Sequence, residues 1–142
     1  MRRIYLDTNI LLDILINTRP GHEMSLQVLA LLKRSHIEIF CSTQSLFDTY
    51  YVAGNNGVIK QEIDVLCTWL VYYANVRPIG WMEFKEALMS AEPDIEDAAQ
   101  ISLAKTEHCD LFLTNDQRVL NKEHDAALIF MSPAAFIDKA TN

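Results

Sequence analysis

Short apolar runs recur along this chain, and segments with helical periodicity separate them. The runs are residues 3–7, 37–41, 75–79, 110–114 and 127–131. Strands that are buried on both faces of a parallel sheet have this composition, and they need crossover connections, which are usually helices. The pattern therefore predicts a single domain, residues 1–142, with an α/β fold: a three-layer α/β/α sandwich whose mostly parallel central sheet has about five strands. Pro78 favours an edge position for the run at 75–79.

Helices are predicted where apolar residues repeat at helical spacing. The predicted helices begin at about Asn9, with Arg19-Pro20-Gly21 ending the first, and then cover 22–35, 44–53, 59–74, 81–91, 95–107 and a short segment after Ser132-Pro133. Thr8 or Asn9 is expected to cap the first helix and Asp94 the sixth, because Ser, Thr, Asp and Asn are the common N-cap residues.

Composition narrows the classes of function. Cys41, Cys67 and Cys109 are odd in number and lie in apolar runs, so they are expected to be buried free thiols. No run of about 18 apolar residues is present, so no membrane span is expected and the protein is placed in the cytoplasm. The formal net charge of −7 is unusual for a protein that binds phosphate. It suits either a cluster of metal-binding carboxylates or a basic protein partner.

The predicted strands and helices place four carboxylates where a site would form. These candidate site residues are Asp7, Asp48, Asp97 and Asp116. Each comes from a different crossover, and the crossovers meet at the carboxyl edge of the sheet, where parallel sheets form their sites. Taken singly, Asp7 and Asp97 could cap helices, Asp48 could be a solvated helix residue, and Asp116 a turn residue. Together they would repel one another unless a cation offset the charge. Oxygen ligands alone favour Mg²⁺ or Mn²⁺.

The residues around three of these acids resemble the motifs of the PIN domain family. A strand ending in Asp7 is followed by Thr8 and Asn9, Asp97 opens an alanine-rich helix, and Thr114-Asn115-Asp116 follows a strand. The resemblance covers nearly the whole chain and includes the order of helices and strands. One departure is Asp48, because the family usually has Glu at this position and Asp is one methylene shorter.

The resemblance implies a Mg²⁺- or Mn²⁺-dependent endoribonuclease in which Asp7, Asp97 and Asp116, helped by Asp48, hold the metal. Many small single-domain members are the toxin half of a toxin–antitoxin pair. The expected partners are therefore RNA, a possible basic antitoxin and a second copy of the chain in a homodimer.

Further predictions concern residues that are near the four carboxylates in the sequence, and the aromatic residues. Thr8 and Asn9 either orient Asp7 or cap the helix, and Thr114 is a candidate to add a hydroxyl to the metal shell. Glu96 is either an outer acid of the site or a solvated first-turn residue, and Arg19 and Arg118 are candidates to reach phosphate. Tyrosines and tryptophans at helical spacing are predicted to lie in the core or an interface; they are Tyr50, Tyr51, Trp69, Tyr72, Tyr73 and Trp81.

Two other functions were compared with the enzyme. A two-component receiver domain would need a Lys after its last core strand, but Met131-Ser132-Pro133 stands there. The alternative that stays open is a catalytically weakened PIN scaffold that acts as a protein- or RNA-binding module.

Overall fold

A five-stranded parallel sheet forms the centre of the protein, in a computed structural model that describes residues 2–122 and 127–142. The strands are β1 (Arg3–Leu6), β2 (Glu38–Ser42), β3 (Asn75–Arg77), β4 (Leu111–Leu113) and β5 (Ile129–Met131). Their order across the sheet is β3-β2-β1-β4-β5, and all neighbouring strands are parallel. The predicted sheet is confirmed, and β3 lies at an edge as expected.

Eight helices connect or follow the strands in the described residues. They are α1 (Thr8–Leu15), α2 (His22–Lys33), α3 (Thr43–Asn55), α4 (Lys60–Tyr73), α5 (Trp81–Met89), α6 (Ile95–Thr106), α7 (Gln117–Leu120) and α8 (Pro133–Thr141). The side chains of Ser42, Asp94 and Ser132 accept N-cap hydrogen bonds at α3, α6 and α8. The predicted cap at Asp94 is therefore confirmed.

Three details of the prediction were wrong. Thr8 and Asn9 do not cap α1, because both lie inside it and Asp7 occupies the N-cap position without a capping side-chain bond. The same helix ends at Leu15, well before Arg19-Pro20-Gly21. The four-residue helix α7 was not predicted, since a single turn is too short to show helical periodicity.

Alternation along β1 divides the core between the two faces of the sheet. Ile4 and Leu6 are buried on one face with residues of α1, α2, α4 and α8. Tyr5 is buried on the other face, stacked on Phe112 at 5.2 Å and packed with residues of α6. This arrangement is the predicted α/β/α sandwich.

Two predictions from composition can be compared with the structure. Cys41, Cys67 and Cys109 are buried and free, as expected. Among the described helices, none is long and apolar enough to cross a bilayer.

Candidate functional site

The carboxyl edge of the sheet has its reversal point between β1 and β4. From β1 the chain proceeds outward to β2 and β3, and it later returns to the other side of β1 as β4. Open parallel sheets bind ligands beyond the carboxyl ends of their strands at such a reversal point. Asp7 directly follows β1, and Thr114 directly follows β4.

Asp7 is almost completely buried at this point, with 2% of its surface exposed. Thr114, which is fully buried, donates a hydrogen bond of 2.7 Å from Oγ1 to Asp7 Oδ2. Burial raises the pKa of Asp7, and the negative charge of Asp116 raises it further, while the bond from Thr114 lowers it. Thr114 therefore orients the carboxylate that the sequence placed at the centre of the site.

Asp97 lies on the third position of α6, and its side chain is 15% exposed. Burial and then the charge of Asp7 raise the pKa of Asp97 to about 7, with smaller contributions that include Asp116. Its Oδ2 atom is buried and has no hydrogen-bond partner. A buried carboxylate oxygen without a donor is unfavourable, so this position is suited to a cation.

Asp116 begins α7 and caps it by accepting a hydrogen bond of 2.9 Å from the Arg118 backbone. Its own backbone N–H donates to Thr114 Oγ1 at 3.0 Å. Arg118 Nη2 lies 3.1 Å from Asp116 Oδ2 and 3.7 Å from Asp97 Oδ2, so its guanidinium group supplies a positive charge at the site. The Arg118 side chain is 65% exposed.

Asp48 is coupled electrostatically to Glu96 and not to the three acids described above. Burial raises the pKa of Asp48, and the charge of Asp48 is the largest cause that raises the pKa of Glu96. Glu96 is an exposed first-turn residue of α6, and its pKa responds to a second carboxylate, that of Asp48. The four acids thus form a group of three, Asp7, Asp97 and Asp116, and a neighbouring pair, Asp48 and Glu96.

A buried hydrogen-bond network that was not predicted links α3 and α6 beside these acids. Gln100 Oε1 accepts from Ser45 Oγ at 3.1 Å and from Tyr5 Oη at 3.3 Å. Ser45 also bonds Thr8 Oγ1 at 2.7 Å and Ser42 Oγ at 2.9 Å. A signal was present in the sequence, since Gln100 and Ser45 stand three residues from Asp97 and Asp48 and so share their helix faces.

Arg19 is held by an ion pair rather than extended toward solvent. Its Nε atom lies 2.6 Å from Oδ1 of the buried Asp13, and Nη2 lies 3.5 Å from Asn9 Oδ1. Asn115 Nδ2 donates to the other oxygen of Asp13. Gly21 is needed here, because a Cβ atom would stand 2.3 Å from Asp13 Oδ2. Asp13 therefore holds Arg19 and Asn115 in place.

Of the six aromatic residues predicted to lie in the core or an interface, four are exposed, so for these four only the interface prediction stands. Tyr51, Tyr72, Tyr73 and Trp81 are between 70% and 78% exposed. Helical spacing did not separate them from core residues, because their helices carry apolar side chains on both faces. Trp81 begins α5, and its ring stacks on Phe84 with centroids 6.1 Å apart.

A cavity of about 490 Å³, which we call the aromatic pocket, opens beside the carboxylates. Its apolar walls are Ile79, Trp81, Phe84 and Ile95, and its acidic wall is Asp48 and Glu96. Ser45 and Gln100 lie at its base and connect it to the buried network. On the opposite side of the site, a cavity of about 650 Å³ is lined by residues that include Asp13, Arg19 and Asn115.

The carboxylates fit a hard divalent cation by their chemistry. The donors are oxygens, their charges repel one another, and Asp97 Oδ2 lacks a partner. Within residues 2–122 and 127–142, no three His, Cys, Asp or Glu side chains are arranged to hold one metal ion as they stand. Binding would therefore require side-chain movements, among them withdrawal of Arg118, whose side chain is largely exposed.

Comparison with known proteins identifies the family to which this fold belongs. A family model described as PIN domain matches residues 3–118. The chain belongs to the PIN domain family. This PIN domain is 28% identical over 120 residues to Ribonuclease VapC1 of Aquifex aeolicus (strain VF5), covering 81% of this chain and 82% of the relative. It also superposes on the crystal structure of VapC20 of Mycobacterium tuberculosis, described as a sarcin-ricin loop cleaving toxin, with a TM-score of 0.67 and 12% identity, covering 84% of this chain and 96% of the other.

Proposed function

We propose that this PIN domain is a divalent-metal-dependent endoribonuclease that hydrolyses phosphodiester bonds in RNA. The observation that carries the proposal is the group of Asp7, Asp97 and Asp116, which repel one another at the reversal point of the sheet. The curated relative VapC1 is named a ribonuclease, which supports the same class of reaction.

Mg²⁺ or Mn²⁺ would be held by Asp7, Asp97 and Asp116, with Asp48 assisting through its place beside Glu96. Such an ion, when bound, activates a water molecule and stabilises the charge on the phosphate under attack. Thr114 fixes the orientation of Asp7, and the Thr8–Ser45 bond joins the start of α1 to α3. Thr8, Asn9, Thr114 and Glu96 are therefore proposed as supporting residues, and Arg118 as a group that turns from Asp116 to phosphate.

The test is calorimetric titration of the metal-free protein with Mg²⁺ and Mn²⁺, paired with cleavage of single-stranded RNA. Asp97→Asn should lose cleavage by at least about 100-fold, since even outer residues of metal sites contribute 10- to 100-fold. Asp138→Asn is the matched control, because Asp138 is an exposed carboxylate on α8. It should bind metal and cleave RNA like the parent protein.

The same titration addresses the alternative of a PIN scaffold that binds without cleaving. The ion pairs of Arg118 with Asp116 and Asp97 favour this alternative, because they already supply a counter-charge. A protein that binds RNA but takes up neither ion and cleaves no RNA would support the binding module and overturn the enzyme.

A homodimer is proposed from the exposed apolar residues of α4. Val65 and Tyr72 stand two turns apart on one face of this helix and are 71% and 78% exposed. Contiguous exposed apolar surface marks an interaction site in a soluble protein. Light scattering should report twice the monomer mass of 16.2 kDa; a monomer at micromolar concentration would contradict the proposal.

A toxin role with a basic antitoxin is proposed from the relatives and from the net charge of −7. An acidic protein attracts a partner of opposite charge. Co-expression with the product of the neighbouring gene should give a complex that suppresses RNA cleavage. Cleavage that is unchanged by this product would exclude it as the antitoxin.

A further inference from the structure

The aromatic pocket shares helix α6 with the carboxylate site. Asp97 belongs to the group of three acids, whereas its neighbour Glu96, together with Gln100, lines the pocket. Gln100 also accepts hydrogen bonds from Ser45 and Tyr5, so the base of the pocket is fixed to β1 and α3. A chain of nucleotides that places a phosphate at Asp97 has its adjoining groups beside this pocket.

The lining of the pocket selects the chemistry of its occupant. Its apolar walls include two stacked aromatic side chains, Trp81 and Phe84, which are 70% and 42% exposed. Its charged lining consists of Asp48 and Glu96, and no Lys or Arg lines it within the described part of the chain. A phosphate would be repelled from this lining, whereas a neutral planar ring would stack on the aromatic side chains.

We propose that the aromatic pocket binds an unpaired nucleobase of the RNA, next to the phosphate at the carboxylates. Its volume of about 490 Å³ lies within the usual range of small-ligand sites, about 300–1,000 Å³. This proposal rests on the proposed function, because it takes the substrate to be single-stranded RNA. Paired bases remain stacked on their neighbours in a duplex, so the occupant comes from a loop or a single strand.

Asp48 and Glu96 give the pocket a preference among the bases. Ionised carboxylates accept hydrogen bonds and do not donate them. Cytosine and adenine present an exocyclic amino group as a donor, and carboxylates are known to accept from the amino group of cytosine. Uracil presents a carbonyl oxygen at the corresponding position, which the two acids repel. Cytosine and adenine therefore bind in preference to uracil.

The first test measures binding of metal-free protein to hexamers of cytidine, adenosine or uridine. Trp81→Ala should weaken binding of the cytidine and adenosine hexamers by about 10-fold, since stacking of a base on an aromatic side chain is worth a factor of this order. Trp81→Phe should retain most of the affinity. Tyr73→Ala is the matched control, because Tyr73 is 71% exposed at the end of α4, outside the pocket and not among the residues proposed for the dimer.

The second test removes the base instead of the side chain. Cleavage of a single-stranded RNA is compared with cleavage of copies that lack one base at each position in turn. One position next to the cleaved bond should be sensitive in the parent protein, and Trp81→Ala should cleave the intact and the base-free copies at similar rates. Sensitivity that persists in Trp81→Ala would overturn the proposal.

The two tests separate failure of the pocket from failure of the enzyme. If no RNA is cleaved, the proposed function fails, and the metal-free hexamer titration still decides whether the pocket binds a base. Unchanged hexamer affinity in Trp81→Ala would overturn the proposal that the pocket binds a base.

Discussion

At the amino edge of the sheet Asp110 accepts hydrogen bonds of 2.7 and 2.9 Å from the backbone N–H groups of Arg2 and Arg3. At the carboxyl edge Asp97 has a buried oxygen with no hydrogen-bond donor. The pKa of Asp110 is lowered by its donors, whereas the pKa of Asp97 is raised to about 7 by burial and by its acidic neighbours. Partners distinguish a carboxylate that stabilises the fold from one that is available to a ligand.

The largest expected effect is on the rate of RNA cleavage, which should depend on the carboxyl edge of the sheet and not on the amino edge. Asp7→Asn should lower RNA cleavage by at least about 100-fold, because it removes a carboxylate at the centre of the site. Asp110→Asn should cleave RNA at the parental rate once folded, although it loses about 1 kcal/mol of stability with its charge-assisted hydrogen bonds. Equal activities of the two variants in one cleavage assay would erase the distinction between the edges.

The second effect is on stability as a function of pH. Because its pKa is raised, Asp97 loses its proton at a higher pH in the folded protein than in the unfolded protein. The free energy of unfolding therefore falls as pH rises from about 4 to about 7. Asp97→Asn should reduce this decline, to which Asp7 also contributes because its pKa is raised as well. It should stabilise the metal-free protein at pH 8 by about 2 kcal/mol, since one pKa unit is equivalent to about 1.4 kcal/mol and water reduces the full value. Urea denaturation of the parent and of Asp97→Asn at pH 5 and pH 8 measures the decline with pH and the stabilisation at pH 8.

Asp110 should contribute in the opposite sense. Its pKa is lowered, so its stabilisation is fully present above the unfolded pKa of about 3.9 and is lost as pH falls below it. Asp110→Asn should therefore be less stable than the parent at neutral pH and converge with it in acid. A decline toward pH 8 that is as large in Asp97→Asn as in the parent would assign the pH dependence to other groups.

The third effect concerns the pair formed by Asp48 and Glu96. Asp48→Glu should preserve cleavage or raise it by a few-fold, because the side chain is one methylene longer and the family usually has Glu there. Asp48→Ala is the control that removes the carboxylate altogether. Loss of cleavage in Asp48→Glu with the fold intact would exclude Asp48 from the position assigned to it.

The smallest effect concerns Arg118, whose partners belong to the group of three acids. Arg118→Ala should raise the pKa of Asp97 by less than about one unit, since an exposed ion pair contributes little in water. It should also strengthen Mg²⁺ binding, because it removes a competing positive charge. Carboxyl chemical shifts in an NMR titration and calorimetry report the two changes; a fall in the pKa of Asp97 would contradict the first.

The sequence predicted the position of the carboxylates because it depends on local features. The apolar runs that become β1 and β4 end where Asp7 and Thr114-Asn115-Asp116 begin, and strand ends are set by short-range pattern. The position of Asp97 could be predicted in the same way, because it is the third residue of a helix that Asp94 caps. These features require no knowledge of distant contacts.

The sequence did not predict features that depend on contacts between distant segments. Asp7 occupies an N-cap position, yet its carboxylate bonds Thr114 across 107 residues and does not cap the helix. The pairing of Asp48 with Glu96 and the burial of Gln100 arise only when α3 meets α6. Tyr72 and Trp81 are exposed because the opposite faces of their helices pack on the core. Apolar residues occur on both faces of these helices, so the sequence does not show which face is buried.

The central position of β1 has a consequence for synthesis of the protein. β1 is made before the other strands of this sheet, but its neighbour β4 is made about a hundred residues later, and Thr114 reaches Asp7 only then. Domains generally fold as units rather than residue by residue as they emerge. Under the proposed function, an unfinished or prematurely ended chain holds Asp7 and Asp97 without Asp116, so nuclease activity begins only after nearly the whole domain has been translated.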